Sequence, residues 1–410
     1  MRLVYAFDNV LPSRQTDGEQ LVRSVDALSR RGVQVTLLLP QAPNAAEPTA
    51  RSLRDYYRVD GPFEVLAYPG STAPTRPLQQ VAHARRAVAR ARALAPDLVY
   101  TRNLPMLHAG LSAGLPTAFE HYRPWGDQFP PLQPLLRRAM RHPRFLGTVL
   151  HSEHAAASYR RLGIPDQRLL VAHNGYDPQL MLPALSTEEA RAQVGLPPGR
   201  PVVLYAGRVN ARKGLEEVLE LARRLPEVLF ALVGSEGDGP IEQAARSVGN
   251  VSVFPWQTFD ALPPWLYAAD VLLLPPSLRP LELGNTVLPM KLFLYLAAGR
   301  AILAPEAPDT AELLRHDDNA ALVPAGDLDA IAATLARLVD DGDWRARLAE
   351  SARALSLELT WDRRAERIES WLQSRLASLG TPPPPAIDPW SARRWLAESA
   401  RWLWRSLPRR

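Results

Sequence analysis

A strand–helix grammar that runs twice through the chain constrains its fold more than any other feature. Short apolar runs at residues 3–7, 33–39, 98–101, 117–120, 148–151 and 169–172 read as buried parallel strands. Strands covered on both faces lose the polar alternation of a half-exposed sheet. Between the first two, residues 20–31 put Leu21, Val25 and Leu28 on one helical face and stop at Gly32. The same grammar restarts at Pro201, with strands expected at 202–206, 229–233, 251–254, 271–274, 301–304 and 320–323. Two βαβ series in tandem predict an α/β protein of two doubly wound, Rossmann-like domains. A chain of 410 residues suits that plan, being too long for one ordinary core.

The expected division is 1–182 for the first domain, 183–200 for a linker rich in Pro, Ser and Gly, and 201–358 for the second domain. Residues 359–379 form a helix long enough to cross back onto the first domain. A proline-rich spacer at 380–389 then leads to a distinct tail at 390–410. Ligands of such sheets bind beyond the carboxyl ends of the strands, so a cleft between the domains is the expected site.

The chain has no cysteine, which excludes thiol chemistry, zinc–thiolate sites and disulfides and fits a reducing compartment. Its first apolar run is too short for a secretory leader, and no window reaches the ~18 apolar residues of a membrane-spanning helix. A cytoplasmic location is expected, with access to the inner face of the membrane. The basic residues are almost all arginine; the two lysines are Lys213 and Lys291. A compact ammonium does what a planar guanidinium cannot.

The run 202–206 leads into Gly207-Arg208-Val209-Asn210-Ala211-Arg212-Lys213-Gly214 and then into an amphipathic helix from Leu215. Glycine lets backbone approach a ligand, and a helix N-terminus offers free N–H groups and a positive dipole end. With Arg208 and Lys213 at the same strand end, this is equipment for holding a diphosphate and for stabilising one as it departs, without metal. A solvated basic turn is the competing reading.

In sequence, G-R-x4-K-G after a strand resembles the donor-domain entry of retaining GT-B glycosyltransferases of the family 4 type (glycosyl transferases group 1). Further motifs follow in the family's order: Leu232-Val233-Gly234 with Gly239-Pro240, the segment 262–275, Pro289-Met290-Lys291 with Tyr295-Leu296-Ala297-Ala298-Gly299, and Ala320 to Pro324 with Gly326-Asp327. The resemblance implies a GT-B fold, with two Rossmann-like domains facing each other across a cleft and a C-terminal helix crossing back to the first domain. It implies transfer of a sugar, with retention and without metal or other cofactor, from a UDP- or GDP-sugar to a glycan or lipid-linked acceptor. Arg208, Lys213 and Gly214 would then hold the diphosphate, with Lys291 further along the donor pocket. Glu282 would orient the sugar. The family's second acid, which touches the ribose, aligns with Leu294, and a side chain that cannot hydrogen-bond stands there. Asn285 and Thr286, in the loop of Glu282, either donate to phosphate or sugar or bond their own backbone.

On the acceptor side, Gly18 stands for the family's glycine-rich loop facing the diphosphate, though one glycine at a helix start is also ordinary turn chemistry. His121, at the end of the run 117–120, is similar to the family's cleft histidine and is the other candidate for the chemistry. A surface histidine is the alternative. Tyr100-Thr101-Arg102-Asn103 could line the same mouth. Basic segments at 85–92 and 137–144 are either solvated helix faces or surfaces for a lipid phosphate or an anionic bilayer. In the tail, Trp395, Leu396, Trp402, Leu403 and Leu407 share a helical face opposite Arg394, Arg401 and Arg405, a pattern that suits an anionic membrane surface or packing on the protein body.

A binding protein that keeps the donor site without turnover is the alternative, motivated by Leu294 and the thin glycine loop. A dinucleotide oxidoreductase is disfavoured because residues 234–239 read G-x-x-G-x-G, without a suitably placed ribose acid. Nucleic-acid binding is disfavoured because the basic segments lack interleaved aromatics.

Overall fold

The structure, a computed structural model, describes residues 1–278 and 288–380. The chain divides into two units, Met1–His173 together with the segment from Trp361 onward, and Asn174–Thr360.

The first unit is built on seven parallel strands: β1 (Arg2–Ala6), β2 (Gln34–Gln41), β3 (Glu64–Pro69), β4 (Leu98–Thr101), β5 (Thr117–His121), β6 (Phe145–Leu150) and β7 (Leu169–Val171). Their order in the sheet is β3-β2-β1-β4-β5-β6-β7. The second unit has six parallel strands: β8 (Val202–Ala206), β9 (Leu229–Ser235), β10 (Val251–Pro255), β11 (Val271–Leu273), β12 (Ala301–Pro305) and β13 (Ala321–Val323). Their order is β10-β9-β8-β11-β12-β13. Both sheets reverse their winding once, between β1 and β4 and between β8 and β11. Those switch points open crevices at the strands' carboxyl ends.

One strand lies outside the expected set. β3 pairs with β2 at the edge of its sheet, and its Glu64, Leu66 and Pro69 are not buried. The expected linker 183–200 is also different, because it belongs to the second unit. Ser186 starts the helix Thr187–Val194 with a capping box: its side chain accepts from Glu189 N, and the Glu189 carboxylate accepts from Ser186 N. Ala190 and Leu196 are buried in that unit's core. The units instead part at residues 173/174 and 360/361. There Tyr176 bridges to Thr360, both inside the second unit.

The helix Trp361–Ala377 completes the first unit. Trp361, Arg364, Ala365, Ile368 and Leu372 recur at three- and four-residue spacing and form its buried face. Gly147 of β6 makes room for it. A Cβ at Gly147 would sit 2.6 Å from the Trp371 ring and 2.5 Å from Arg168 O, and its φ of +148° also favours glycine.

Arg364 reaches Glu120 on β5, whose side chain is wholly inaccessible. Around that carboxylate converge the Tyr5 hydroxyl (2.5 Å), Gln20 Nε2 (3.2 Å), Arg102 Nε (3.2 Å), His151 Nε2 (2.8 Å) and Arg364 Nη2 (2.5 Å). Burial alone would push the Glu120 carboxyl up, but Arg102 and Arg364 outweigh it and hold the group well below the usual carboxylate range. Replacing Glu120→Gln keeps the shape but leaves two buried guanidiniums without a counter-charge. The expected loss is about 3–5 kcal/mol of stability, read as a fall in the urea unfolding midpoint. A midpoint equal to the parent's would refute it.

Candidate functional site

At the carboxyl end of β8 the chain passes into Gly207, with φ +144°. Its N–H donates to Val233 O of β9 at 2.8 Å. A Cβ at Gly234, the next residue of β9, would fall 2.2 Å from Gly207 O, so the two strand ends meet glycine on glycine. Arg208 follows, its Nε 3.6 Å from the Glu236 carboxylate and its side chain about one-third exposed. Asn210 then shapes the short turn Ala211–Lys213, its side chain accepting from Arg212 N at 3.1 Å. Gly214 closes the turn with φ +66°, and a Cβ there would lie 2.1 Å from Ser277 Cβ. Only glycine therefore lets this turn pass the segment that follows β11.

The helix Leu215–Arg224 starts at Gly214 with no side chain capping its first amides. Its Glu217 is engaged by the Ser277 hydroxyl, which donates to it at 2.7 Å. Lys291 comes from another element, the first turn of the helix Met290–Ala298. One turn later Tyr295 accepts the Ala206 N–H at 2.8 Å, which pins that helix to the end of β8. Lys291 Nζ then lies 3.7 Å from the centroid of the Tyr205 ring and occupies the space a Cβ at Gly207 would need.

Arg208, Lys213 and Lys291 are thus gathered at one switch point. Burial, then the Arg208 charge, lowers the Lys213 ammonium. Burial, then the Lys213 charge, holds Lys291 well below the usual lysine value. Like charges held this way, beside uncapped amides, are complementary to a ligand with two or more negative charges. Among the described residues, no group of three His, Asp or Glu side chains is placed to hold a metal ion.

Other expected residues stand differently. Glu282, Asn285 and Thr286 lie outside the described residues, as does the tail at 390–410. Leu294 is buried in the apolar core of the second unit, so packing decides that position. The side chains that complete the site without a role assigned from sequence are Tyr205, Glu217, Glu236, Ser277 and Tyr295. The Pro275-Pro276-Ser277 run was a local signal for one of them. Tyr295 lies in a motif run that gives no hint of its bond to Ala206, and Tyr205, on an apolar strand, gives no signal.

In the first unit, Gly18 lies in the opening turn of the helix Thr16–Arg30. A Cβ there would meet Leu11 and the Tyr57 hydroxyl, each at 2.8 Å, so local packing accounts for the glycine. Arg102 and Asn103 do not form an open mouth. Arg102 pairs with Glu120, while Asn103 caps the helix Leu104–Ser112 and donates to Asp8 at 3.0 Å. His121 is only 3% exposed. Its ring stacks near Phe119, Tyr122 and Trp125, and Nδ1 accepts from Arg123 N at 3.2 Å. Burial lowers its pKa to about 3, so it enters any chemistry as a neutral imidazole.

Comparison with known proteins gives two family matches. Residues 200–341 match the family described as glycosyl transferases group 1, and residues 20–180 match glycosyltransferase family 4. Among curated proteins, the chain is 37% identical over 123 residues to the putative colanic acid biosynthesis glycosyl transferase WcaI of Escherichia coli, covering 28% of this chain and 30% of that one. It is 31% identical over 164 residues to the lipopolysaccharide core biosynthesis glycosyltransferase LpsE of Rhizobium meliloti, covering 39% and 46%. The matches therefore span less than half the length of these relatives. Among solved structures, sucrose-phosphate synthase from Thermosynechococcus elongatus superposes with a TM-score of 0.72 at 16% identity, covering 92% of this chain and 99% of that one. HepE of Anabaena in complex with UDP-glucose gives 0.68 at 20% identity, covering 91% and 100%. Likenesses at this identity show the fold, that of two Rossmann-like GT-B domains.

Three buried histidines of the first unit set a pH dependence. Burial lowers His83 and His151 to about 4 and His121 to about 3. The unfolded chain takes up protons at these positions below pH ~6.5, while the folded chain does not. Stability is then full above that pH and falls as pH drops toward 4, by up to about 1.4 kcal/mol per pH unit for each histidine. Urea midpoints measured from pH 7 to 4.5 check this, and a flat profile would contradict it.

Proposed function

Since the chain belongs to the family 4-like GT-B glycosyltransferases, we propose that it moves a sugar from a nucleoside diphosphate sugar to a glycan or lipid-linked acceptor. The observation that carries this reading is the convergence of Arg208, Lys213 and Lys291 on the glycine-walled end of β8. As the bond from the anomeric carbon to the diphosphate breaks, negative charge grows on the leaving oxygen. Arg208 and Lys213 are the groups to stabilise it, with the free amides at the start of the helix Leu215–Arg224. Binding of the donor diphosphate offsets the repulsion among the three cations. It also competes with Glu236 for Arg208. Lys291 supplies further positive charge deeper in the pocket, and Glu282 orients the sugar.

Transfer with retention and without metal is part of the proposal. An α-linked donor should then give an α-linked product by NMR, with turnover insensitive to EDTA. UDP and UDP-glucose bound to HepE make uridine nucleotides the first donors to try, with GDP-sugars beside them. The names of WcaI and LpsE point to acceptors in cell-envelope polysaccharide assembly. No helix among the described residues is long and apolar enough to cross a membrane. Contact with an anionic membrane surface through residues 390–410 is proposed from their Trp/Arg pattern. Deleting 381–410 should weaken cosedimentation with anionic liposomes, and unchanged binding would refute this contact.

Lys213→Ala and Arg208→Ala should each weaken binding of the donor ~10-fold or more, the scale of one charge-assisted hydrogen bond. Calorimetry on the full chain with UDP- and GDP-sugars reads this, and undiminished affinity in both variants would falsify the site. A ligand at a hundredfold excess over its dissociation constant should also raise stability by ~2–3 kcal/mol, which a thermal-shift series detects. Binding without product in a transfer assay would leave a binding protein in place of an enzyme.

A further inference from the structure

The first unit holds a second cationic feature, away from the carboxyl ends of its strands. A pocket of 280 Å³ is lined by Arg137, Arg141 and Arg168 together with Met140, Leu162 and Ile164. Arg168 immediately precedes β7, and Arg141 lies four residues before β6. The pocket therefore sits at the amino ends of these strands, at the opposite end of the sheet from His121. Two of its guanidiniums are held by main-chain carbonyls: Arg137 Nε donates to Leu162 O at 3.4 Å and Arg168 Nη1 to Met140 O at 2.6 Å. This orients them and leaves further N–H groups on each. The carboxylate closest in sequence, Asp166, is engaged by Arg160 at 2.5 Å. A fourth cation stands beside the group. Arg375 donates to Leu146 O at 2.8 Å, and burial followed by the Arg168 charge lowers its guanidinium.

Elsewhere in the unit arginines meet acids: Arg102 and Arg364 meet Glu120, and Arg161 meets Asp127. At this pocket the described residues bring like charges together without an acid to balance them. Planar guanidiniums converging on a concave wall match the oxygens of a phosphate, and Met140, Leu162 and Ile164 offer apolar surface to whatever carries it. We propose that this pocket binds the phosphate group of an anionic ligand, at a place distinct from the sugar-donor site. Two sources share that chemistry, a free phosphorylated metabolite and the headgroup of an anionic lipid.

Arg141 is exposed, so Arg141→Glu lowers the pocket's positive charge by two with little demand on the core. The full chain, the variant and Arg141→Lys are to be compared in two assays. One is calorimetry with glycerol 3-phosphate. The other is flotation with vesicles of phosphatidylcholine alone or with phosphatidylglycerol added. The parent should bind in at least one assay, and Arg141→Glu should weaken that binding ~10-fold or more. Arg141→Lys should retain most of it, and affinity for the nucleotide sugar and thermal midpoint should be unchanged. Loss confined to glycerol 3-phosphate assigns a soluble ligand. Loss confined to anionic vesicles assigns a lipid headgroup, and residues 381–410 are intact in every protein compared. Absence of binding by the parent in both assays, or equal binding by Arg141→Glu, overturns the proposal.

Discussion

Glu120 brings a full negative charge into the interior of the first unit, and the groups that neutralise it come from elements spread along the chain. Tyr5 comes from β1, Gln20 from the helix Thr16–Arg30, and Arg102 and His151 from just beyond β4 and β6. Arg364 comes from the helix Trp361–Ala377. A carboxylate taken out of water is tolerable only when its lone pairs are filled and its charge is matched. The helix must therefore dock in the register that delivers Arg364, and the same register places Trp371 over Gly147. The surface pairs Arg31–Glu369 and Arg30–Asp362 follow from that docking and add little energy of their own.

The second unit treats charge in the opposite way. Its switch point collects Arg208, Lys213 and Lys291, and the two lysines are depressed by burial and by a neighbouring cation. Charge already matched inside a protein has little left to give a ligand, as with Arg102 and Arg364. The two lysines, held at a strand end by burial beside another cation, are a standing free-energy cost that an anion can relieve. The glycines explain how this is arranged in so little space, since Gly207, Gly214 and Gly234 each stand where a Cβ would collide with a neighbouring group.

Much of this was legible in the sequence, and the exceptions have physical causes. Fully buried parallel strands such as β4 and β8 announce themselves as apolar runs, and their boundaries fall where expected. β3 does not, because an edge strand with Glu64 and Pro69 has neither a continuous apolar run nor a clean alternation. The stretch 183–200 looked like a linker by composition, yet its Ser186-x-x-Glu189 box is a helix start, and that local signal outweighs proline content. Arg208 and Lys213 were readable because glycine, strand and helix N-terminus adjoin them in sequence. Glu120 was not, because its partners come from separate elements, one of them, Arg364, 244 residues away. His121 was readable as a strand-end residue, but its neutral state depends on the surrounding Phe119, Tyr122 and Trp125.

The same 244-residue separation orders events on the ribosome. Glu120 is synthesised early and Arg364 only after the whole second unit. At ~5–20 residues per second, the carboxylate waits roughly 10–50 s for its partner. Until then Arg102, His151, Tyr5 and Gln20, all synthesised long before Arg364, are the groups that answer the charge on β5. Docking of the helix Trp361–Ala377 is thus the closing step at this carboxylate, and Arg364 adds its charge to a site that the rest of the first unit has already lined.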